Sequence, residues 1–452
     1  MDYPAYPVYR ESGIEWLGKI PDHWELKKFR FLFSFGRGLG ITKENLLDEG
    51  VPCINYGEIH SKYGFEVIPE KHPLKCVTPD YLETGTSSLL SAGDFVFADT
   101  SEDIEGSGNF SHLNSDVPTF AGYHTVIARP ISNDIPRYMA YLFDSLPYRF
   151  QIRKTVSGVK VFSITQAILK NCYLWLPPKT EQIQIAQFLD HKTQQIDQLI
   201  AKKQTLIDKL NEQRIALITH AVTKGLNPAV TLEDSGVEWL GEVPEHWEVK
   251  PVKFLTKILR GKFSHRPRND PDFYDGNYPF IQTGDISQAN KYVTHYSQTL
   301  NEKGYAVSKE FPAGTLVMTI AANIGDMAII NFDACFPDSI VGFFPEQNVD
   351  LIFLYYLFVA MKQQLMSTAV LNTQLNLNVD RVGSIPAIYP SIEEQTQIVE
   401  YLDRETERID RMVELNQQTI DKLKEYRTAL ITAAVTGKID VRNWRQTETK
   451  GV

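Results

Sequence analysis

Positive charge stands in short runs along this chain: Lys27, Lys28 and Arg30, then Arg149, Arg153 and Lys154, then the stretch from Lys250 through Arg268. Such side chains suit phosphate, because local potential rather than net charge attracts an anion. The net charge is −10, which sits poorly with the basic footprint usual in a nucleic-acid-binding domain. The acidity is uneven, however: Glu393 to Ile439 carries ten acids against seven bases, and an acidic helix there would offer a docking surface to a partner protein. Phe35-Gly36-Arg37-Gly38-Leu39-Gly40 has the outline of a glycine-rich nucleotide loop. It lacks a strand-loop-helix unit with a downstream acidic residue, so it reads as a turn whose useful residue is Arg37. Cys53, Cys76, Cys172 and Cys335 lie far apart without a C-x-x-C pair. That spacing argues against a zinc ribbon or a disulfide scaffold and leaves buried or incidental thiols. No metal site is expected.

The elements that must position these groups are written twice. Ser12 to Lys27 reads SGIEWLGKIPDHWELK and Ser235 to Lys250 reads SGVEWLGEVPEHWEVK, identical at eleven of sixteen positions. A second pair, Glu181 to Thr223 and Glu394 to Thr436, matches at 23 of 43 positions. The order is motif, variable block, long periodic segment, then the same again. The blocks between, Glu25 to Leu176 and Glu248 to Tyr389, share only scraps such as Ile54-Asn55-Tyr56-Gly57-Glu58-Ile59 beside Ile281-Gln282-Thr283-Gly284-Asp285-Ile286. Runs such as DFVFA and TLVMTI, punctuated by Gly, Pro, Asn and Asp, predict mixed α/β domains rich in turns. A duplicated scaffold holding two diverged inserts suits one task performed on two different targets. Trp16, Trp24, Trp239 and Trp247, with His23 and His246, belong to the repeated part, so they are expected to pack against helix ends rather than read a target.

Each periodic segment begins after proline (Pro177-Pro178, and Pro390 before Ser391), opens with acids and contains no internal Gly or Pro. This predicts two helices of ~65 Å at 1.5 Å per residue. Steps of four and three give Leu189, Thr193, Ile196, Ile200, Lys203, Ile207, Leu210, Arg214, Leu217 and Ala221 in the first. The second gives Leu402, Thr406, Ile409, Val413, Asn416, Ile420, Leu423, Arg427, Leu430 and Ala434. Seven of ten are apolar in each, a coiled-coil seam that Thr193/Thr406 and Arg214/Arg427 interrupt alike. The predicted fold is α/β (α+β): two mixed α/β domains joined by two long antiparallel helices under a pseudo-two-fold. The expected boundaries are 1–176 and 227–389 for the domains, 177–226 for the first helix, and 390–452 for the second helix and tail. At 452 residues, 43% hydrophobic and 23% charged, the chain is long enough for two or more cored domains. MDYPAYPVYRESG has no basic-then-apolar pattern and no stretch approaches the ~18 apolar residues of a membrane span, so a cytoplasmic protein is expected.

The SGxEWLGxxPxHWE openings, the proline-then-EQxxI helix starts and the ending Ala434-Val435-Thr436-Gly437-Lys438-Ile439-Asp440-Val441-Arg442 together closely resemble the specificity subunits of type I restriction-modification systems. The resemblance spans essentially the whole chain. It implies two target-recognition domains, each reading a few base pairs in one half of a bipartite double-stranded DNA site. It further implies two methyltransferase subunits docked on the helical scaffold, which methylate adenine with S-adenosylmethionine, and two ATP-driven motor-nuclease subunits that join for restriction. This chain itself would need no cofactor and do no catalysis.

On that reading, affinity comes mainly from Lys and Arg on phosphates and discrimination from base-edge contacts. The candidates in the first domain are Arg37, Lys43, Arg153, Lys154 and Lys160. At the offset of the helices, Lys160 falls opposite Thr373 in Asn372-Thr373-Gln374-Leu375-Asn376, a polar loop whose Asn372, Gln374 and Asn376 suit base edges. Arg260, Lys262, Arg266 and Arg268 are the phosphate candidates in the second domain. An adenine methyltransferase fused to its own reader should carry an Asn/Asp-Pro-Pro-aromatic tetrapeptide to hold a flipped base. Asn227-Pro228-Ala229 and Asp270-Pro271-Asp272 both miss the second proline.

Overall fold

The structure, a computed structural model, describes residues 3–131, 134–158, 161–321, 323–367, 370–371 and 375–446. Two compact units emerge, Met1–Lys203 with Gln418–Val452, and Gln204–Gln417. The two long helices, Lys179–Lys224 and Ile392–Val435, are divided between them, so each unit holds one half of each helix.

Both units are built on the same frame. The first has a five-stranded sheet in the order Phe33–Arg37, Thr125–Pro130, Phe95–Ala98, Phe110–Leu113, Phe65–Val67. The second repeats it as Thr256–Arg260, Ile340–Pro345, Leu316–Thr319, Met327–Ile330, Tyr292–Val293. In each the last pairing is parallel and the others antiparallel. DFVFA and TLVMTI supply the central strands, buried at every position, as continuous apolar runs require when both faces are covered. The shared scrap near Ile54 and Ile281 is a helix start. Asn55 N–H donates to Glu58 Oε2 at 3.1 Å and Gln282 N–H to Asp285 Oδ2 at 2.7 Å, each the return half of a capping box.

Each insert closes on itself before its long helix begins. Glu25 pairs with Leu176 and Glu248 with Tyr389 in short antiparallel ribbons. The repeated motif then clamps the helix ends. In the first unit Trp24 Nε1 and Tyr6 Oη donate to Glu181 Oε1 at 2.8 and 2.6 Å, and His23 Nε2 lies 2.9 Å from Oε2. Gly437, at φ +70°, ends the other long helix so close to Trp24 that a Cβ there would lie 3.3 Å from the indole. In the second unit Trp247 and His246 hold Glu394 at 3.0 and 2.8 Å, while Gly225, at φ +75°, lies equally close to Trp247. Glycine is the residue for this left-handed helix end. The tryptophans therefore tie the start of one long helix to the end of the other. Burial alone would raise the Glu394 carboxyl; hydrogen bonds from Trp247, His246 and Ser391 outweigh it and hold it low. Trp16 packs on Trp175 and Phe150, and Trp239 donates to Pro386 O at 3.1 Å.

Replacing Glu181 by Ala would orphan the Trp24 and Tyr6 donors in a site where the carboxylate is only 6% exposed. At about 1–3 kcal/mol per unsatisfied buried group, the loss expected in chemical denaturation is on the order of 3 kcal/mol. Glu394→Ala should cost less, since that carboxylate is 31% exposed. Equal losses for the two variants would show that burial does not set the cost.

All twenty seam positions are buried or half-buried. Within the first unit Ile196 and Ile200 share a core with Leu423 and Leu430, and within the second Leu217 and Ala221 share one with Ile398 and Leu402. The polar interruptions are a repeated device. Thr193 Oγ1 lies 3.1 Å from Tyr141 Oη, which donates to Asp190 at 2.7 Å; Thr406, Tyr356 and Asp403 repeat this at 3.1 and 2.6 Å. Arg427 pairs with Asp197 at 3.1 Å and Arg214 with Asp410 at 3.3 Å. Buried polar groups are thus satisfied inside an apolar seam, at the same register in both units.

Candidate nucleic-acid interface

In both units the same strand ends meet at one sheet edge. The strand Phe33–Arg37 stops at Gly38, where a Cβ would lie 1.8 Å from Gly122 O; Thr256–Arg260 stops at Gly261, where it would lie 2.3 Å from Pro337 O. The residues expected to form a turn around Arg37 are therefore a strand through Arg37, paired residue by residue with Val126 to Pro130, and only the backbone beyond it turns. The close crossing leaves no room for a side chain, which is why glycine follows each arginine. A second segment anchors at the same edge. Ile164 N–H donates to Asp99 O at 2.7 Å, and Leu377 N–H donates to Ile320 O at 2.9 Å. Ile164 and Leu377 lie at the offset of the long helices, so the segments preceding them in sequence, 156–163 and 369–376, correspond under the repeat.

The second unit gathers its candidates. Arg260 Nε donates to Asp338 O at 2.6 Å. Arg266 reaches Phe263 O at 2.6 Å, His265 O at 2.8 Å and Asp338 Oδ2 at 3.4 Å, and Arg268 forms an ion pair with Asp338 Oδ1. Lys262 stands exposed beside them, its N–H bonded to Phe336 O at 3.0 Å. His265 lies against Phe273 and 2.9 Å from Asp270. A bond from the Asp272 N–H, then the imidazole, hold the Asp270 carboxyl below its usual range. Asn372 and Gln374 lie outside the described residues. Asn376 ends the short strand Leu375–Asn376, paired with Val370–Leu371.

The first unit disperses its candidates. Arg37 is exposed at the strand end and Lys43 is exposed in the 3-10 turn Lys43–Asn45. Arg153 and Lys154 end the helix Leu146–Thr155. Arg153 is half-buried and donates to Glu105 O, and burial together with Arg149 lowers its pKa. That side chain ties down the acidic loop Ser101 to Gly106 and is not a freely solvated cation. Lys154 is exposed and lines a 390 Å³ cavity with Trp16, Ala167 and Tyr173. Lys160 lies outside the described residues. Sequence reasoning missed Asp338, which only the fold carries to the arginines, and His124, held at φ +54° with Nδ1 3.2 Å from Asp99. Equivalence of the two glycine crossings is the signal that would have pointed to both turns.

The family model for the type I restriction modification DNA specificity domain matches the chain twice, over residues 21–212 and 244–425. A protein of Methanocaldococcus jannaschii bearing the name of the type I restriction enzyme MjaX specificity subunit is 26% identical over 96% of this chain and 98% of its own. The EcoKI specificity subunit of Escherichia coli is 24% identical over 55% of this chain and 52% of its own. Among solved structures, a chain described in work on complex assembly and conformational transition of the type I R-M system superposes with a TM-score of 0.69 at 15% identity, covering 92% of this chain and 98% of that one. The HsdS subunit of Thermoanaerobacter tengcongensis gives 0.50 at 15% identity over 95% and 100%.

Proposed function

This chain belongs to the type I restriction-modification DNA specificity family, and from that premise we propose that it reads a two-part double-stranded DNA site and sets its partner subunits there without bond chemistry of its own. One observation carries the reading. Both units present the same strand ends, glycine crossing and anchoring bond at Ile164 or Leu377, while the side chains beside the crossing differ: Arg37 with Tyr123 and His124 in one, Arg260, Arg266 and Arg268 around Asp338 in the other. A common frame with unlike edges is what two readers of unlike half-sites need. Arg and Lys supply the phosphate contacts, and the segments 156–163 and 369–376, with Lys160, Asn372, Gln374 and Asn376, supply base-edge contacts.

The partners on this reading are two methyltransferase subunits and two motor-nuclease subunits in the cytoplasm. S-adenosylmethionine and ATP reside on those partners. The purified chain should transfer no methyl group from S-adenosylmethionine to adenine, and should support transfer when two copies of a modification subunit are added. Robust methylation by the chain alone, measured with radiolabelled methyl donor, would refute the assignment of the chemistry to partners.

A further inference from the structure

In the second unit Asp338 gathers three arginines. Asp338 accepts from Arg266 at 3.4 Å and pairs with Arg268 through its side chain, and it takes Arg260 Nε on its carbonyl at 2.6 Å. The turn that carries it is fixed from both sides. Ile340 N–H returns to Pro337 O at 3.0 Å, Ile320 N–H bonds Ser339 O at 2.9 Å, and Gly261 passes directly beneath Pro337 O. At the matching crossing of the first unit stand Tyr123 and His124, so the carboxylate belongs to the diverged part and not to the shared frame.

We propose that Asp338 is an internal counter-ion for the arginine cluster, holding the guanidinium groups as a DNA phosphate would and yielding them to the backbone on binding. The inference rests on the DNA-reading function proposed above. A carboxylate and a phosphate each offer a guanidinium a pair of anionic oxygens at the same fork spacing. The Asp338 side chain is 36% exposed, and ion pairs at that exposure are weak enough to exchange. Unopposed arginines would bind any duplex equally, since phosphate contacts carry no sequence information. A carboxylate among them weakens that sequence-independent term and leaves base-edge discrimination to decide where the chain rests.

The test compares the full chain with Asp338→Asn, Asp338→Ser and Asp338→Glu, first on a non-target duplex of mixed sequence across a salt series, then by selection from a randomised DNA pool. Both neutral variants should bind the non-target duplex several-fold more tightly at low salt, with a log-log salt slope steeper by about one, and should enrich the selected sequences less sharply. Asp338→Glu, which keeps the charge, should stay near the parent chain. Should Asp338→Asn fail to fold, Asp338→Ser makes the same charge change with a residue suited to turns. Non-target affinity and slope unchanged in a folded neutral variant would overturn the counter-ion role. A parent chain that enriches no sequence from the pool would refute DNA reading itself, and the counter-ion role with it.

Discussion

Exchanging residues 25–176 for the equivalent block of a related chain is expected to change one half of the methylated DNA motif and leave the other half untouched. The ends of that block are register partners: Glu25 lies opposite Leu176 in an antiparallel ribbon, and in the other unit Glu248 lies opposite Tyr389. A graft cut there enters and leaves at one place and keeps Trp24 and Glu181 of the clamp, but it exchanges Tyr141, the partner of Thr193 in the seam. The insert also brings its own core. Ile54, Val96, Leu113 and Ile127 form one cluster and Cys53, Val77 and Phe120 another, both inside the exchanged block. The graft does cut the larger core in which Phe29, Phe97, Phe143 and Tyr148 meet Ile185, Leu189 and Leu430. The donor must therefore supply apolar side chains of similar volume at those positions, because core overpacking or cavities cost ~1–5 kcal/mol. Sequencing of methylated adenines across the genome of the host reads the result. If both half-motifs changed together, the two inserts would not be independent readers.

The repeat made most of this frame legible. Two copies of one motif at an offset of 223 and of another at 213 fix where strands end and helices begin, because a chance match of that length does not occur. The helix seams were equally legible, since burial follows the four-three spacing position by position. Less of the interface could be read. Runs of basic residues in sequence say which charges are near along the chain, and Arg149, Arg153 and Lys154 show how little that decides. Arg149 is drawn to Asp144 at 3.1 Å and Asn109 at 2.6 Å, Arg153 to a backbone carbonyl, and of the three only Lys154 is fully exposed. Asp338 lies 70 residues from Arg268, and only the pairing of Arg260 with Val341 carries them together. Long-range ion pairs leave no periodic trace in a sequence.

Inserting a matched heptad after Thr205 and after Gln418 should preserve both half-motifs and widen the unread gap between them. Thr205 and Gln418 are exposed helical positions that correspond under the repeat, and each lies within two residues of the division between the units. Both long helices cross that division, so equal insertions lengthen both connections together. Seven residues turn an α-helix by only about 20° short of two full turns, which keeps Ile207 and Leu210 in phase with Ile196, and Ile420 in phase with Ile409; all five are at most 7% exposed. The polar positions Thr193, Arg214, Thr406 and Arg427 keep their own partners, because those lie wholly inside one unit or the other. Insertions of three or four residues would instead rotate one half of each seam by about 40–60°. Those variants should lose the cooperative melt and with it DNA binding, whereas the heptad variant should keep both. A heptad adds about 10.5 Å of helix, comparable to the rise of about three base pairs. Twist makes the change in gap differ from that simple quotient, since each added base pair also turns a half-site about the duplex axis and each reader must still face its groove. A heptad variant that folds, binds modification subunits and still methylates only the parent spacing would show that something other than the paired helices sets the gap.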